Sequence, residues 1–192
     1  MHDIKLVLGS KSPRRQSLIK ELGFNFEIRT KETEEIYPKS LDINQVPEYL
    51  AKLKAEALID SLNEGEILLT SDTVVIYNER LLGKPKDAKE AFEMLQTLKN
   101  SSHKVITGVN LISLQKSYSF STQTEVFFSD IDTLDINTYI DNHKPFDKAG
   151  SYGIQEWLGY IGVEKIEGCY YNVMGLPLHD VYKALKLEFL PQ

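Results

Sequence analysis

A chain of 192 residues with 42% hydrophobic and 26% charged content is long enough to bury one substantial core or two smaller ones. Its formal charge of −6 and pI near 5.3 exclude a broad electrostatic footprint for DNA or RNA, so a polyanion must be met by a local cluster of cations or with a metal ion. The single Cys169 excludes an internal disulfide and a multi-cysteine metal site, and with no charged leader and no apolar run near 18 residues the expectation is a cytoplasmic protein off the membrane.

In chain order, Lys5 to Leu8 predicts a short buried strand, and the stretch Leu6 to Arg15, LVLGSKSPRR, breaks at Gly9 into a Ser-Pro helix start. Pro13 suits the first helical position, where a missing N–H costs nothing, and Ser12 is placed to cap the exposed amides. The positive end of a helix dipole calls for Asp or Glu, yet the chain supplies Arg14 and Arg15. Free amides, the hydroxyls of Ser10 and Ser12 and two guanidinium forks together make a site for an anion such as a phosphate group; the alternative is two solvated arginines in an ordinary turn. The helix runs to Leu22 and stops at Gly23, after which Phe24 to Arg29 alternates as a second strand.

Thr30 to Ile43 is polar, lacks helical periodicity and reads as a loop carrying Glu32, Glu34 and Glu35. Such carboxylates are most often only solvated, but beside a phosphate site they would suit Mg²⁺ or Mn²⁺, which prefer oxygen ligands. A long helix follows, capped by Asn44, with Val46, Leu50, Leu53, Ala57 and Leu58 on one face. Lys54 borders that face and either snorkels to water or reaches a bound anion.

Ile67 to Ile76, ILLTSDTVVI, is an apolar run interrupted by Thr70, Ser71, Asp72 and Thr73. Carboxylates at strand ends of α/β proteins face ligand crevices, which makes Asp72 a catalytic candidate; the alternative is a turn cap between two short strands. Asn78 to Leu82 predicts a turn, and Gly83-Lys84-Pro85 adds a point charge where backbone can approach closely. Asp87 and Glu90 predict a capping box for a helix to Lys99 that buries Ala91, Phe92, Leu95 and Leu98. His103 to Leu114 and Tyr118 to Ser129 predict an antiparallel hairpin, and His103, with no second histidine at metal spacing, reads as structural. A helix over Leu134 to Asp141 leads into KPFDKAGSYGIQ at Lys144 to Gln155. There Asp147 and Lys148 suit a metal or phosphate, and Gln155 has the paired donor and acceptor needed to read an amide edge such as a pyrimidine's. Tyr160 to Ile166 predicts a further strand, and Gly175-Leu-Pro177 opens a last helix with Leu178, Val181, Tyr182 and Leu185 inward.

Neither GxxxxGK[ST] nor GxGxxG occurs, which removes the two commonest nucleotide loops. What remains is a polyanion site in scattered pieces, Arg14, Arg15, Lys54 and Lys84 against Glu35, Asp72 and Asp147. LGSKSPRR, Glu34-Glu35, LAKLKA at Leu50 to Ala55, SDTVV at Ser71 to Val75, LGKP at Leu82 to Pro85, HKVITGV at His103 to Val109, DKAGSYGIQ at Asp147 to Gln155 and NVMGLP at Asn172 to Pro177 resemble, in order, the motifs of the Maf family of nucleoside triphosphate pyrophosphatases.

That resemblance implies a single α/β domain over residues 1–192, with a long mixed sheet flanked by helices and two lobes around a central cleft, similar to inosine triphosphate pyrophosphatases. It implies hydrolysis of a small-molecule nucleoside triphosphate to monophosphate and pyrophosphate with a divalent metal cation, Mg²⁺ or Mn²⁺, and a homodimer as the candidate assembly. The proton acceptor falls on Asp72, substrate choice on Arg14, Thr73 and Gln155, phosphate binding on Ser10, Arg15, Lys54 and Lys84, and metal on Glu35 and Asp72. GSYGIQ resembles the branch acting on dTTP and UTP. Specificity for 7-methyl-GTP and a non-catalytic nucleotide-binding regulator of cell division are the alternatives. Two positions depart from the pattern: Gly9 where Ala is usual, and Glu156-Trp157 after Gln155 where a glycine is common.

Overall fold

The computed structural model describes residues 4–190. Its strands β1 (Lys5–Leu8), β2 (Phe26–Ile28), β3 (Glu66–Tyr77), β4 (Arg80–Leu82), β5 (Ser102–Ile112), β6 (Ser117–Phe128) and β7 (Val163–Glu167) form one mixed sheet in the order β2-β1-β3-β5-β6-β7, with β4 on β3. β1 pairs parallel with β2 and β3, whereas the β3–β4 and β6–β7 pairs are antiparallel. The helices are α1 (Pro13–Glu21), α2 (Val46–Glu56), α3 (Ala88–Leu98), α4 (Thr133–His143), α5 (Trp157–Gly162), α6 (Tyr170–Val173) and α7 (Leu178–Ala184). Among the described residues no helix is long and apolar enough to cross a membrane. Two compact units have their boundaries inside β3, β5 and β6 and just after α6: Met1–Asp72, Thr107–Thr122 and Gly175–Gln192 make the first, Thr73–Ile106 and Gln123–Met174 the second.

In the first unit, Val7 and Leu68 of the sheet pack under Ala55, Leu58 and Leu62. α2 lies directly on β5 at Gly108, where an added Cβ would stand 2.2 Å from the Glu48 amide nitrogen and 2.3 Å from the Pro47 carbonyl. A second fixed point comes from Thr70, whose hydroxyl donates to the Ala51 carbonyl at 2.7 Å. Period-two alternation therefore turns Leu68, Thr70 and Asp72 toward α2, and β3 runs unbroken through its polar middle. Those residues form no turn, because Thr70 and Asp72 each find a partner on the helix. The same packing explains Gly9, where a Cβ would meet Thr70 Cγ2 at 2.6 Å. Two expectations are corrected. Asp42, not Asn44, opens the α2 region, accepting from the Asn44 amide at 2.8 Å, because a 3₁₀ turn over Ile43–Gln45 precedes the helix. Tyr182 is not inward: it is 38% exposed, its ring tilted against Phe24 with the Lys186 ammonium above it.

The second unit is built on a core of Leu95, Leu98, Val105, Val126, Phe128, Ile136, Tyr139 and Leu158. Asp87 caps α3 as its sequence predicts, accepting from the Glu90 amide at 2.8 Å. Asn78 and Glu79, both at positive φ, close the tight turn from β3 into β4, so the predicted turn ends in a short strand. Tyr160 to Gly162, expected in a strand, are helical, and β7 starts at Val163. Gly159 is the cause: a Cβ there would stand 2.1 Å from the Ile154 carbonyl oxygen, so the bare backbone lets a tight helical turn fold against that segment.

His103 is buried in this core, sharing a 2.7 Å hydrogen bond between Nε2 and the Tyr152 hydroxyl and meeting Phe128 and Tyr152 edge-on. It is structural, as expected, and burial lowers its pKa from 6.5 to about 4. Because the folded value lies below the unfolded one, the unfolded chain takes up the proton first. The stabilisation is complete above pH 6.5 and is lost as pH falls toward 4. Denaturant unfolding at pH 7 and pH 4.5 is expected to differ by about 2 kcal/mol from this group, at 1.36 kcal/mol per pKa unit, and the difference should shrink by that amount in His103→Gln.

Candidate active site

The first unit gathers four charged residues expected from sequence. Lys54, one turn beyond the Ala51 contact on α2, pairs through Nζ with Asp72 Oδ1 and, at 2.8 Å, with Glu35 Oε1. A lysine at the edge of an apolar face thus turns inward, because two carboxylates compensate its desolvation. Arg15 on α1 donates from Nε to the Gly175 carbonyl and from Nη1 to the Ser71 carbonyl, both at 2.9 Å. It braces the peptide next to Asp72 as well as contributing charge. Ser12 stands at the N-cap of α1, but its hydroxyl makes no cap bond; its own amide donates to Ser10 Oγ at 3.2 Å instead. The buried Ser10 thus fixes the residue ahead of the helix, and among the described residues no side chain caps the first turn of α1.

Burial pushes the Asp72 carboxyl above its ordinary value, with Lys54 and Arg15 pulling it back. A carboxylate made more basic by desolvation and kept close to two cations is suited to taking a proton from water. Burial likewise lowers Arg15, with Asp72 opposing. Among the described residues no group of three or more His, Cys, Asp or Glu is gathered as a metal cage. The donor set still fits Mg²⁺ or Mn²⁺: Glu35 and Asp72 converge on one ammonium, and magnesium commonly takes only one or two carboxylates, filling its shell with water and phosphate oxygens.

The second unit carries Thr73, Lys84, Asp147, Lys148 and Gln155. Lys84 is exposed, while Thr73 is half-buried on β3. Alternation gives Thr73 the face of Val75, and that face is covered by Gly150, whose Cβ would lie 3.0 Å from Val75 Cγ2. Lys148, expected to reach a metal or phosphate, is buried and satisfied within the unit by Asp147 at 2.8 Å and Glu156 at 3.1 Å. Gln155 leaves its side-chain oxygen Oε1 buried with no hydrogen-bond partner among the described residues. A buried acceptor without a donor costs roughly 1–3 kcal/mol, so one aimed at a ligand N–H is a functional signal. Beside it stand Glu156, which the sequence marks only as a departure from the family motif, and Tyr139, which the sequence does not mark at all. Tyr139 sits at a core position of α4, and only the polar end of its ring distinguishes it from a core residue.

Fold and site define a class: a mixed α/β protein whose central strand carries a lysine-bridged carboxylate, beside an arginine-bearing helix start. A family profile described as Maf-like protein matches residues 5–188. The chain belongs to the Maf family. A dTTP/UTP pyrophosphatase of Cytophaga hutchinsonii is 45% identical over 100% of this chain and 88% of its own. One of Flavobacterium psychrophilum is 51% identical over 94% of this chain and 93% of its own. Among solved structures, the Staphylococcus aureus Ham1 protein is similar at a TM-score of 0.47 and 16% identity, covering 66% of this chain and 72% of its own.

Proposed function

We propose that this protein is a nucleoside triphosphate pyrophosphatase that hydrolyses dTTP and UTP to the monophosphate and pyrophosphate. The observation that carries the chemistry is the Asp72 carboxylate, buried and made basic, held on Lys54 beside Glu35. In this reading Asp72 accepts the proton of the attacking water, and Ser10, Arg15, Lys54 and Lys84 bind the phosphates and stabilise the pyrophosphate leaving group. A divalent cation held by Glu35 and Asp72 would, when bound, neutralise phosphate charge as a Lewis acid. The substrate class is supported by relatives at 45% and 51% identity that bear that activity in their names.

Base choice rests on Arg14, Thr73 and Gln155. The unpaired Gln155 Oε1 can accept the imide N–H that thymine and uracil present, while its Nε2 donates to a neighbouring carbonyl; cytosine has an acceptor where the imide N–H would be. The test is pyrophosphate release across canonical and modified triphosphates with Mg²⁺ or Mn²⁺. dTTP and UTP are expected to lead, and a protein that binds nucleotides without releasing pyrophosphate would instead be a regulator. Gln155→Glu should shrink the preference over dCTP by roughly 5- to 150-fold, because a carboxylate accepts from the cytosine amine and an unpaired group is worth ~1–3 kcal/mol. An unchanged preference in that variant would remove Gln155 from base reading.

A further inference from the structure

We propose that Glu156 is a positioning residue for substrate selection: with Tyr139 and Lys148 it clamps the Gly153–Gln155 turn so that the Gln155 amide is presented in one orientation. The inference rests on the reading of Gln155 as the base-selecting residue.

The clamp has parts on three elements of the second unit. One Glu156 oxygen, Oε1, takes the Lys148 ammonium at 3.1 Å, and the other, Oε2, accepts from the Tyr139 hydroxyl at 2.5 Å. That hydroxyl also accepts from the Gly153 amide at 3.1 Å, and the Glu156 amide donates to the Gly153 carbonyl at 3.0 Å. Gly153 is thus held at both its amide and its carbonyl, by partners that Glu156 supplies or fixes. The space above it is closed as well. A Cβ at Gly153 would lie 2.8 Å from Glu156 Cδ and 3.1 Å from Gln155 Nε2, so carboxylate and amide lie side by side over the bare backbone.

The Gln155 backbone is held as well, since the Tyr160 hydroxyl donates to its carbonyl. Tyr139 is itself anchored, fully buried in the core and stacked on His143 at 4.9 Å. Burial and the Glu156 charge push its phenol further up, which keeps it a neutral O–H donor. Glycine in place of Glu156 would leave the Tyr139 hydroxyl and the Lys148 ammonium without this acceptor. Both would re-pair, and the turn would follow them. An amide that selects by donor and acceptor placement discriminates only while it cannot rotate, since a rotated amide offers its N–H₂ where its oxygen stood.

The test measures kcat and KM for dTTP, UTP and dCTP in wild type, Glu156→Ala, Glu156→Gln, Tyr139→Phe and Gln155→Ala, with melting temperatures alongside. Glu156→Ala and Tyr139→Phe are each expected to raise KM for dTTP by roughly tenfold and to erode the dTTP-over-dCTP ratio by a similar factor, with kcat moving less. Their double variant should lose little more than either alone, because both open the same clamp. Glu156→Gln retains an acceptor for Tyr139 and should recover part of the ratio, which also keeps the test decisive if the alanine variant folds poorly. A Glu156→Ala protein that melts lower but keeps the wild-type ratio overturns the positioning role. If Gln155→Ala also keeps the ratio, the base-reading assignment falls with it; if Gln155→Ala alone loses it, only the role of Glu156 is wrong.

Discussion

Asp72→Asn is expected to lower turnover of dTTP by ~10²–10⁴-fold, the usual cost of losing a positioned general base, while nucleotide still binds. The substitution preserves size and one oxygen that Lys54 can use, so α2 stays where it is. It removes the charge that makes the group basic, and an amide cannot accept the proton of an attacking water. Calorimetric titration with a non-hydrolysable dTTP analogue should give a dissociation constant near the wild-type value, and the pyrophosphate assay should give the loss. A rate within a few fold of wild type would place the base elsewhere.

Lys54→Met should cost roughly 10²–10³-fold in kcat/KM, the scale set by removing one preorganised electrostatic group, and it carries a second signature in pH. Lys54 pulls the Asp72 carboxyl down against its desolvation. Without the ammonium the carboxyl rises further, so the acidic limb of the kcat/KM profile moves to higher pH. Methionine keeps the apolar stem and the helix packing. A pH profile that drops uniformly without moving would mean that Lys54 touches only phosphate and leaves the base alone.

Local periodicity made the first unit's pieces legible. The strand, glycine break and Ser-Pro start of α1 are adjacent in sequence, and Lys54 and Asp72 each stand out against an apolar run. That they share one charged site was legible; the direct Lys54–Asp72 pair was not, since it depends on the register of α2 over β3, which no period encodes. Arg15 shows the same limit: its carbonyl partners Ser71 and Gly175 lie 56 and 160 residues away. In the second unit, Tyr160 to Gly162 carries an apolar stretch that suits a strand as well as a helix. What decides it is the contact of Gly159 with the Ile154 backbone. Glu156 announces itself only as a departure from a family motif, and its purpose becomes visible with Tyr139 and Lys148 around it.

The seat of α2 on Gly108 has a mechanical side. The helix is a beam resting on the sheet at Pro47–Glu48 and tied at Ala51, with Lys54 overhanging by about one turn, some 5 Å of axis. A methyl group at residue 108 would sit 2.2 Å from the Glu48 nitrogen, and ordinary contact lies near 3.5–4.0 Å, so the resting end would have to lift by roughly 1.5 Å. With the Thr70–Ala51 bond as fulcrum and arms of similar length, that lift arrives at the overhanging end as a displacement of comparable size and opposite direction. Gly108 is thereby geared to the position of the ammonium on Asp72.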